Sequence, residues 1–189
     1  MEQLGDIVTH RSTFCYTIGQ IKRIMHPAYL SDDELQKQCT VQRTRASGPG
    51  GQHRNKVETA IVVKHHPTQI VGQASEKRSQ HANLVAALFR LRVRLAMEVR
   101  SVPLPEAPGE VWRSRVKGQK INVSTSHADF PIVLVDALDQ VKRCKNEMPK
   151  AAESLAVSTS QLIKFLKSDS QVWERTQQSR VRLGLKRLK

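Results

Sequence analysis

Leucines at 84, 88, 91 and 95 recur at spacings of three and four while Arg90, Arg92, Arg94 and Arg100 fill other positions, which predicts one long amphipathic helix within 76–100. Ser75 stands where its N-cap is expected. Ahead of it the pattern is that of strands. CTVQRTRA (39–46) and VETAIVVKHH (57–66) are rich in β-branched residues, and QIVGQA after Pro67 adds a third short run, so a small sheet is predicted with the helix covering one face. SDDELQKQ opens with Ser31 and Glu34 at capping-box spacing and acids in the first turn, which marks a short helix before the first of these strands.

VPLPEAPGE (102–110), with its prolines and glycine, reads as a linker and a domain boundary. The basic VWRSRVKGQKINV that follows is strand-like, and 130–146 forms one amphipathic helix begun by Pro131. PKAAESLAVSTSQLIKFLK gives two short helices meeting around Val157 and Ser158, with Ser158 and Gln161 at capping-box spacing. Ala152, Leu155, Val157, Leu162 and Leu166 then face inward, and Ser160, Gln161 and Lys164 outward, a pattern similar to a helix-turn-helix unit. Residues 1–26 are weakly patterned and are expected to be a flexible extension. The fold class is α+β: 27–101 hold the small sheet, its long helix and a glycine-rich loop, 111–174 a basic segment and helices, and 175–189 a basic tail.

Charge narrows the partners. Lys and Arg outnumber Asp and Glu by 31 to 17 in 189 residues, a net charge of +14 that points to a large polyanion. With aromatics at only 4%, base stacking is a poor candidate for the main binding mode, and phosphate contact fits better. Cys15, Cys39 and Cys144 are odd in number and form no CxxC or Cys/His pattern, against a disulfide framework and against a zinc site. No apolar run approaches membrane-spanning length, and a cytoplasmic location is expected.

Between the first two strands lies RASGPGGQHRNK (45–56), which is neither helix nor strand in character. Gly48, Gly50 and Gly51 let the main chain approach a ligand with no Cβ in the way and leave N–H groups free to donate. Arg43, Arg45, Arg54 and Lys56 would hold such a loop against phosphates, positioning it without reading sequence.

SGPGGQ followed by Asn55 and Lys56, with Pro67-Thr68 and RSQ at 78–80, resembles the catalytic domain of class I peptide chain release factors and of the small ribosome-rescue hydrolases related to them. The likeness spans roughly residues 30–95. It implies hydrolysis of the peptidyl-tRNA ester in the peptidyl transferase centre, with Gly50, Gly51 and Gln52 at the chemistry and Ser47, Gly48 and Pro49 shaping the loop. On this resemblance the Gln52 N–H stabilises the oxyanion and its neutral amide admits water while excluding bulkier nucleophiles. The ribosome's RNA supplies the rest, so no cofactor and no metal are expected. His53 and Arg54 depart from the commonest family pattern, in which a small or apolar residue usually follows the first of these positions.

The partners so implied are the ribosome, with its large-subunit RNA and its small-subunit messenger channel, and peptidyl-tRNA. Arg78 begins a helix, where a cap and a phosphate contact are equally open. His65 and His66 read as strand-end packing. Arg180, Arg182, Lys186, Arg187 and Lys189 belong to an acid-free stretch after Glu174, either a solvated helix end or an RNA-binding tail of the kind rescue hydrolases use to sense an empty messenger channel. A complete release factor also has codon-reading and N-terminal helical domains, for which 189 residues leave no room, so stop-codon recognition is not expected. Two alternatives stay open: a noncatalytic ribosome- or RNA-binding factor, and a DNA-binding regulator using the helix-turn-helix.

Overall fold

The central sheet is built from β3 (Cys39–Thr44), β4 (Ala60–His65) and β5 (Val71–Ala74), antiparallel and in that order. The computed structural model describes residues 15–18, 21–45 and 59–189. Ahead of the sheet, β1 (Cys15–Ile18) pairs with β2 (Ile21–Ile24), followed by a 3-10 turn (Pro27–Tyr29) and α1 (Asp32–Lys37). Within 1–26, expected to be a flexible extension, the described residues include this strand pair, with β-branched residues on both arms. In α1 the capping box is complete: Glu34 N donates to Ser31 Oγ at 3.2 Å, and Ser31 N to Glu34 Oε2 at 3.1 Å.

Helix α2 (Gln80–Glu98) lies across the sheet. Its Ala87, Leu88, Leu91 and Leu95 pack on Ile61, Val63, Ile70 and Ala74, with Leu30 and Leu35 closing the cluster. The approach is close at Gly72, where a Cβ would stand 2.3 Å from Ala87 O and 2.7 Å from Leu91 Cβ. β5 is an edge strand, and two arginines of α2 cover that edge. Arg90 donates to Gln73 O at 2.8 Å and Arg94 to Val71 O at 2.6 Å, while Arg90 also pairs with Glu76 at 2.8 Å. The arginines interleaved with the leucines therefore fasten the sheet.

The helix starts later than the sequence indicates, with Ser79 in place of Ser75 as N-cap, its Oγ accepting from Ala82 N at 3.3 Å. Asn83 explains the delay. Its amide holds both backbone groups of Lys77, so residues 76–78 bend outside the helix.

A second core gathers Trp112, Phe130, Leu134, Met148, Leu155, Leu162 and Leu166, and Ala96 and Met97 at the end of α2 belong to it too. The elements are α3 (Glu110–Arg115), a hairpin of β6 (Val116–Lys117) and β7 (Lys120–Ile121), then α4 (Phe130–Arg143), α5 (Met148–Ser154), α6 (Thr159–Lys167) and α7 (Ser170–Arg182). The strand expected from Val111 is a helix up to Arg115, with Gly109 at its N-cap, Glu110 in its first turn and basic residues in its last. Burial of Trp112 fixes it there, overriding β propensity.

Residues 102–109, read as a linker, are held along α4. Gly109 N donates to Asp136 Oδ1 at 3.0 Å, Gln140 Nε2 to Pro105 O at 2.8 Å, and Tyr29 OH to Asp136 Oδ1 at 2.8 Å. The helix expected over 130–146 stops at Arg143, because Lys145 and Asn146 take positive φ of 50° and 61° and Asn146 N returns to Val141 O at 2.8 Å.

The basic tail over 175–189 is helical at first and then folded back. Its first half is the end of α7, and the rest folds back on that helix: Gln177 Nε2 donates to Leu188 O at 2.8 Å and Leu188 N to Gln177 Oε1 at 2.9 Å. Leu188 packs against the second core, and that apolar contact holds the end of the chain in place.

Candidate functional site

Residues 46–58, which carry Ser47, Gly48, Pro49, Gly50, Gly51, Gln52, Arg54 and Lys56, lie outside the described residues. What the structure describes is the frame on either side. Thr44 and Ala60 are register partners at one end of the β3–β4 pair, so the points where this segment leaves and rejoins the sheet are neighbours. A core of Ile61, Val63, Leu88 and Leu91 backs that end.

Asn83 secures the second of these points. Wholly buried, it donates Nδ2–H to Thr59 O at 2.6 Å and to Lys77 O at 2.9 Å, and its Oδ1 accepts from Lys77 N at 2.9 Å. Because Lys77 N can only donate and the two carbonyls can only accept, the orientation of the amide is fixed by its partners. The bend at 76–78 is thus tied to the residue just before β4. Sequence reasoning missed Asn83. Its signal was a polar residue spaced by fours with Ala87, Leu91 and Leu95 on the buried stripe of the helix.

Exposed arginines flank this frame. Arg43 precedes Thr44 on β3 and lines a shallow depression with Gln80 and His81 of α2, while Arg78 sits in the bend next to Lys77. Neither makes an ion pair among the described residues. Arg45 is exposed on the far side of Thr44.

The histidines of the sheet stand elsewhere. Cys39 pairs with His65 at the opposite end of the strand pair, about 17 Å from Thr44 at roughly 3.3 Å per residue. His65 is buried, with Nδ1 2.8 Å from Thr68 Oγ1 and Nε2 3.1 Å from Gln38 Oε1. The Gln38 carbonyl oxygen requires the proton on Nε2, so Thr68 donates to Nδ1. Burial pulls the His65 pKa down to about 4, and the ring is a neutral packing group. His66 Nε2 lies 2.6 Å from Thr40 Oγ1.

The family of the chain follows from sequence comparison. The RF-1 domain model matches residues 32–130, from α1 through the sheet and α2 to the first residue of α4. The chain belongs to the RF-1 domain family. It is 41% identical over 87 residues to the chloroplastic peptide chain release factor PrfB1 of Arabidopsis thaliana, covering 44% of this chain and 19% of the relative. It is 40% identical over 90 residues to peptide chain release factor 2 of Campylobacter concisus, covering 45% and 24%. A shorter stretch of 59 residues is 51% identical to peptide chain release factor 2 of a Sulfurovum species. The chain therefore spans about a quarter or less of the length of the curated relatives it matches.

Outside the RF-1 domain, the basic residues expected to contact RNA divide into two groups. Arg180 is turned inward, donating to Lys186 O at 3.0 Å and to Asn146 O, and Arg187 pairs with Glu174 at 2.8 Å. Arg182, Lys186 and Lys189 are exposed. In the helix-turn-helix, Ala152, Leu155, Val157, Leu162 and Leu166 are all buried, and Ser160 and Lys164 are exposed. Among the described residues no group of His, Cys, Asp and Glu is placed to hold a metal ion, Cys39 and Cys144 are free thiols, and no helix is long and apolar enough to cross a membrane.

Proposed function

We propose that this RF-1 domain protein hydrolyses the ester of peptidyl-tRNA on the ribosome without reading a codon, and so frees stalled ribosomes. The observation that carries the reading is the GGQ stretch at 50–52, placed between the paired ends of β3 and β4 in a chain of the release factor family. Gly50 and Gly51 allow a close main-chain approach to the ester, and the Gln52 N–H is the donor for the oxyanion. The neutral amide of Gln52 cannot take a proton from water and acts by positioning it. Arg43, Arg45, Arg54, Lys56 and Arg78 contact ribosomal RNA around this stretch, and Arg182, Lys186 and Lys189 add phosphate contacts from the C-terminal end of the chain.

Codon independence is supported by the chemistry of the surfaces beside the domain. They are cationic, and exposed aromatic side chains for splaying and stacking bases are scarce, which suits phosphate contact over the reading of three bases. The site of action is wherever the ribosomes translate, which we take to be the cytoplasm.

The test is single-turnover peptide release from ribosomes carrying a stop codon, a sense codon or a truncated messenger. The expected result is release that does not favour the stop codon. A strong preference for stop codons would overturn the rescue reading while leaving the ester chemistry in place.

A further inference from the structure

The helix-turn-helix unit plays no part in the ester chemistry, yet the hairpin β6–β7 is fastened beside it at two points. At the hairpin's base, Trp112 of α3 is buried and donates Nε1–H to Leu155 O, in the turn between α5 and α6, at 2.9 Å. Its ring meets Phe165 of α6 edge-on, with centroids 6.1 Å apart. At the tip, Ser158 N, the N-cap residue of α6, donates to Gln119 O at 3.3 Å. Gly118 and Gln119 hold φ of 52° and 62°, the mirror-image turn that matches the twist of a two-residue hairpin. The tip is thus set rigidly against the start of α6.

Lys117 and Lys120 flank the tip and are exposed, as are Ser160 and Lys164 on α6. None of the three lysines makes a hydrogen bond or ion pair among the described residues, whereas Lys167 lies over the Trp173 ring, 5.0 Å from its centroid. No acidic residue occurs from 111 to 128 or from 154 to 168, so every formal charge these two segments contribute is positive.

We propose that the hairpin tip and α6 form one platform for the phosphate backbone of double-stranded RNA, with Lys117, Lys120 and Lys164 as the cations and Ser160 as a hydroxyl donor. The platform's exposed side chains are not aromatic, which disfavours a single strand bound by stacking. Two elements side by side suit the two phosphate rows that border a groove, and a set of three lysines and a serine carries little base-reading capacity. The choice of RNA over DNA rests on the ribosomal reading above, and the contacts themselves do not.

The experiment uses the full chain and a fluorescent RNA duplex of about 20 base pairs, with anisotropy read across a potassium chloride series, about two helical turns being enough for a dsRNA-binding surface. One variant carries Lys117→Glu, Lys120→Glu and Lys164→Glu. A second, with the same change in net charge, carries Lys64→Glu, Lys142→Glu and Lys145→Glu at exposed positions outside the platform. The platform variant is expected to lose about tenfold or more in affinity, and its slope of log K against log salt to fall by roughly 3. The control should lose clearly less. A Lys→Gln set at the platform positions repeats the measurement without added repulsion, with thermal unfolding as the check on folding. Equal or greater loss in the control, no loss in the platform variants, or a more than tenfold preference for a DNA duplex of the same sequence would each overturn the proposal. Gln52→Ala should keep duplex binding and lose release, so failure of the platform and failure of the release reading are told apart.

Discussion

Replacing Asn83 by alanine should loosen the frame of the GGQ-bearing segment without unfolding the protein. The side chain makes three hydrogen bonds to the backbone of Thr59 and Lys77, at 2.6, 2.9 and 2.9 Å, from a fully buried position. At about 1 kcal/mol net for each bond, with more where a backbone group is left buried without a partner, the loss comes to about 3 kcal/mol. A domain with roughly 5–15 kcal/mol of stability remains folded after such a loss.

Peptide release at saturating protein should nevertheless fall by roughly tenfold or more, since a small displacement of catalytic groups is costly. Ribosome binding, assigned above to the arginines and lysines, should hold. Asn83→Asp separates shape from chemistry: it still accepts from Lys77 N but has no donor for the two carbonyl oxygens, so it too should be destabilised. Equilibrium urea unfolding and single-turnover release, on one preparation of each variant, check both expectations. Stability within about 0.5 kcal/mol of the unchanged protein, the range of an ordinary surface substitution, would refute the reasoning.

Two further outcomes follow from buried groups. Burial pulls the pKa of His26 and His65 down to about 4, against 6.5 in the unfolded chain, so the stability that their neutral rings contribute is complete above pH 6.5 and is lost as pH falls to about 4. The loss amounts to about 3 kcal/mol for each ring, and urea unfolding at pH 7.5, 5.5 and 4 should show it. A His26→Gln variant whose stability keeps the full original dependence on pH would contradict that assignment. Gly72→Ala places a Cβ 2.3 Å from Ala87 O and should cost about 3 kcal/mol or more as α2 is pushed off the sheet. An unchanged melting temperature would show that the helix does not sit as close as the structure has it.

Much of the fold is legible because local pattern and burial agree. The β-branched runs became β3, β4 and β5, and the leucine spacing gave the buried face of α2. Local pattern failed where one tertiary contact outweighed it. Trp112 turned a strand-like stretch into a helix, Asn83 delayed the start of α2, and Leu188 drew a charged end back onto α7. The acid-free stretch after Glu174 gave no sign that Arg180 and Arg187 would be used within the molecule, since their partners, Asn146 O and Glu174, depend on how the helices pack. The GGQ stretch is conspicuous in the sequence, with glycines and glutamine in a basic frame, and it lies outside the described residues. Asn83, which secures one end of that stretch, is a single polar letter among leucines.

The most direct test of the central claim is peptide release from stalled ribosomes by the unchanged protein and by Gly51→Ala, with ribosome binding measured on the same preparation. A Cβ at 51 obstructs the close approach of the main chain and leaves the basic contacts intact, so release should be abolished and binding largely kept. Release by Gly51→Ala at the original rate would contradict the assignment of the chemistry to this stretch.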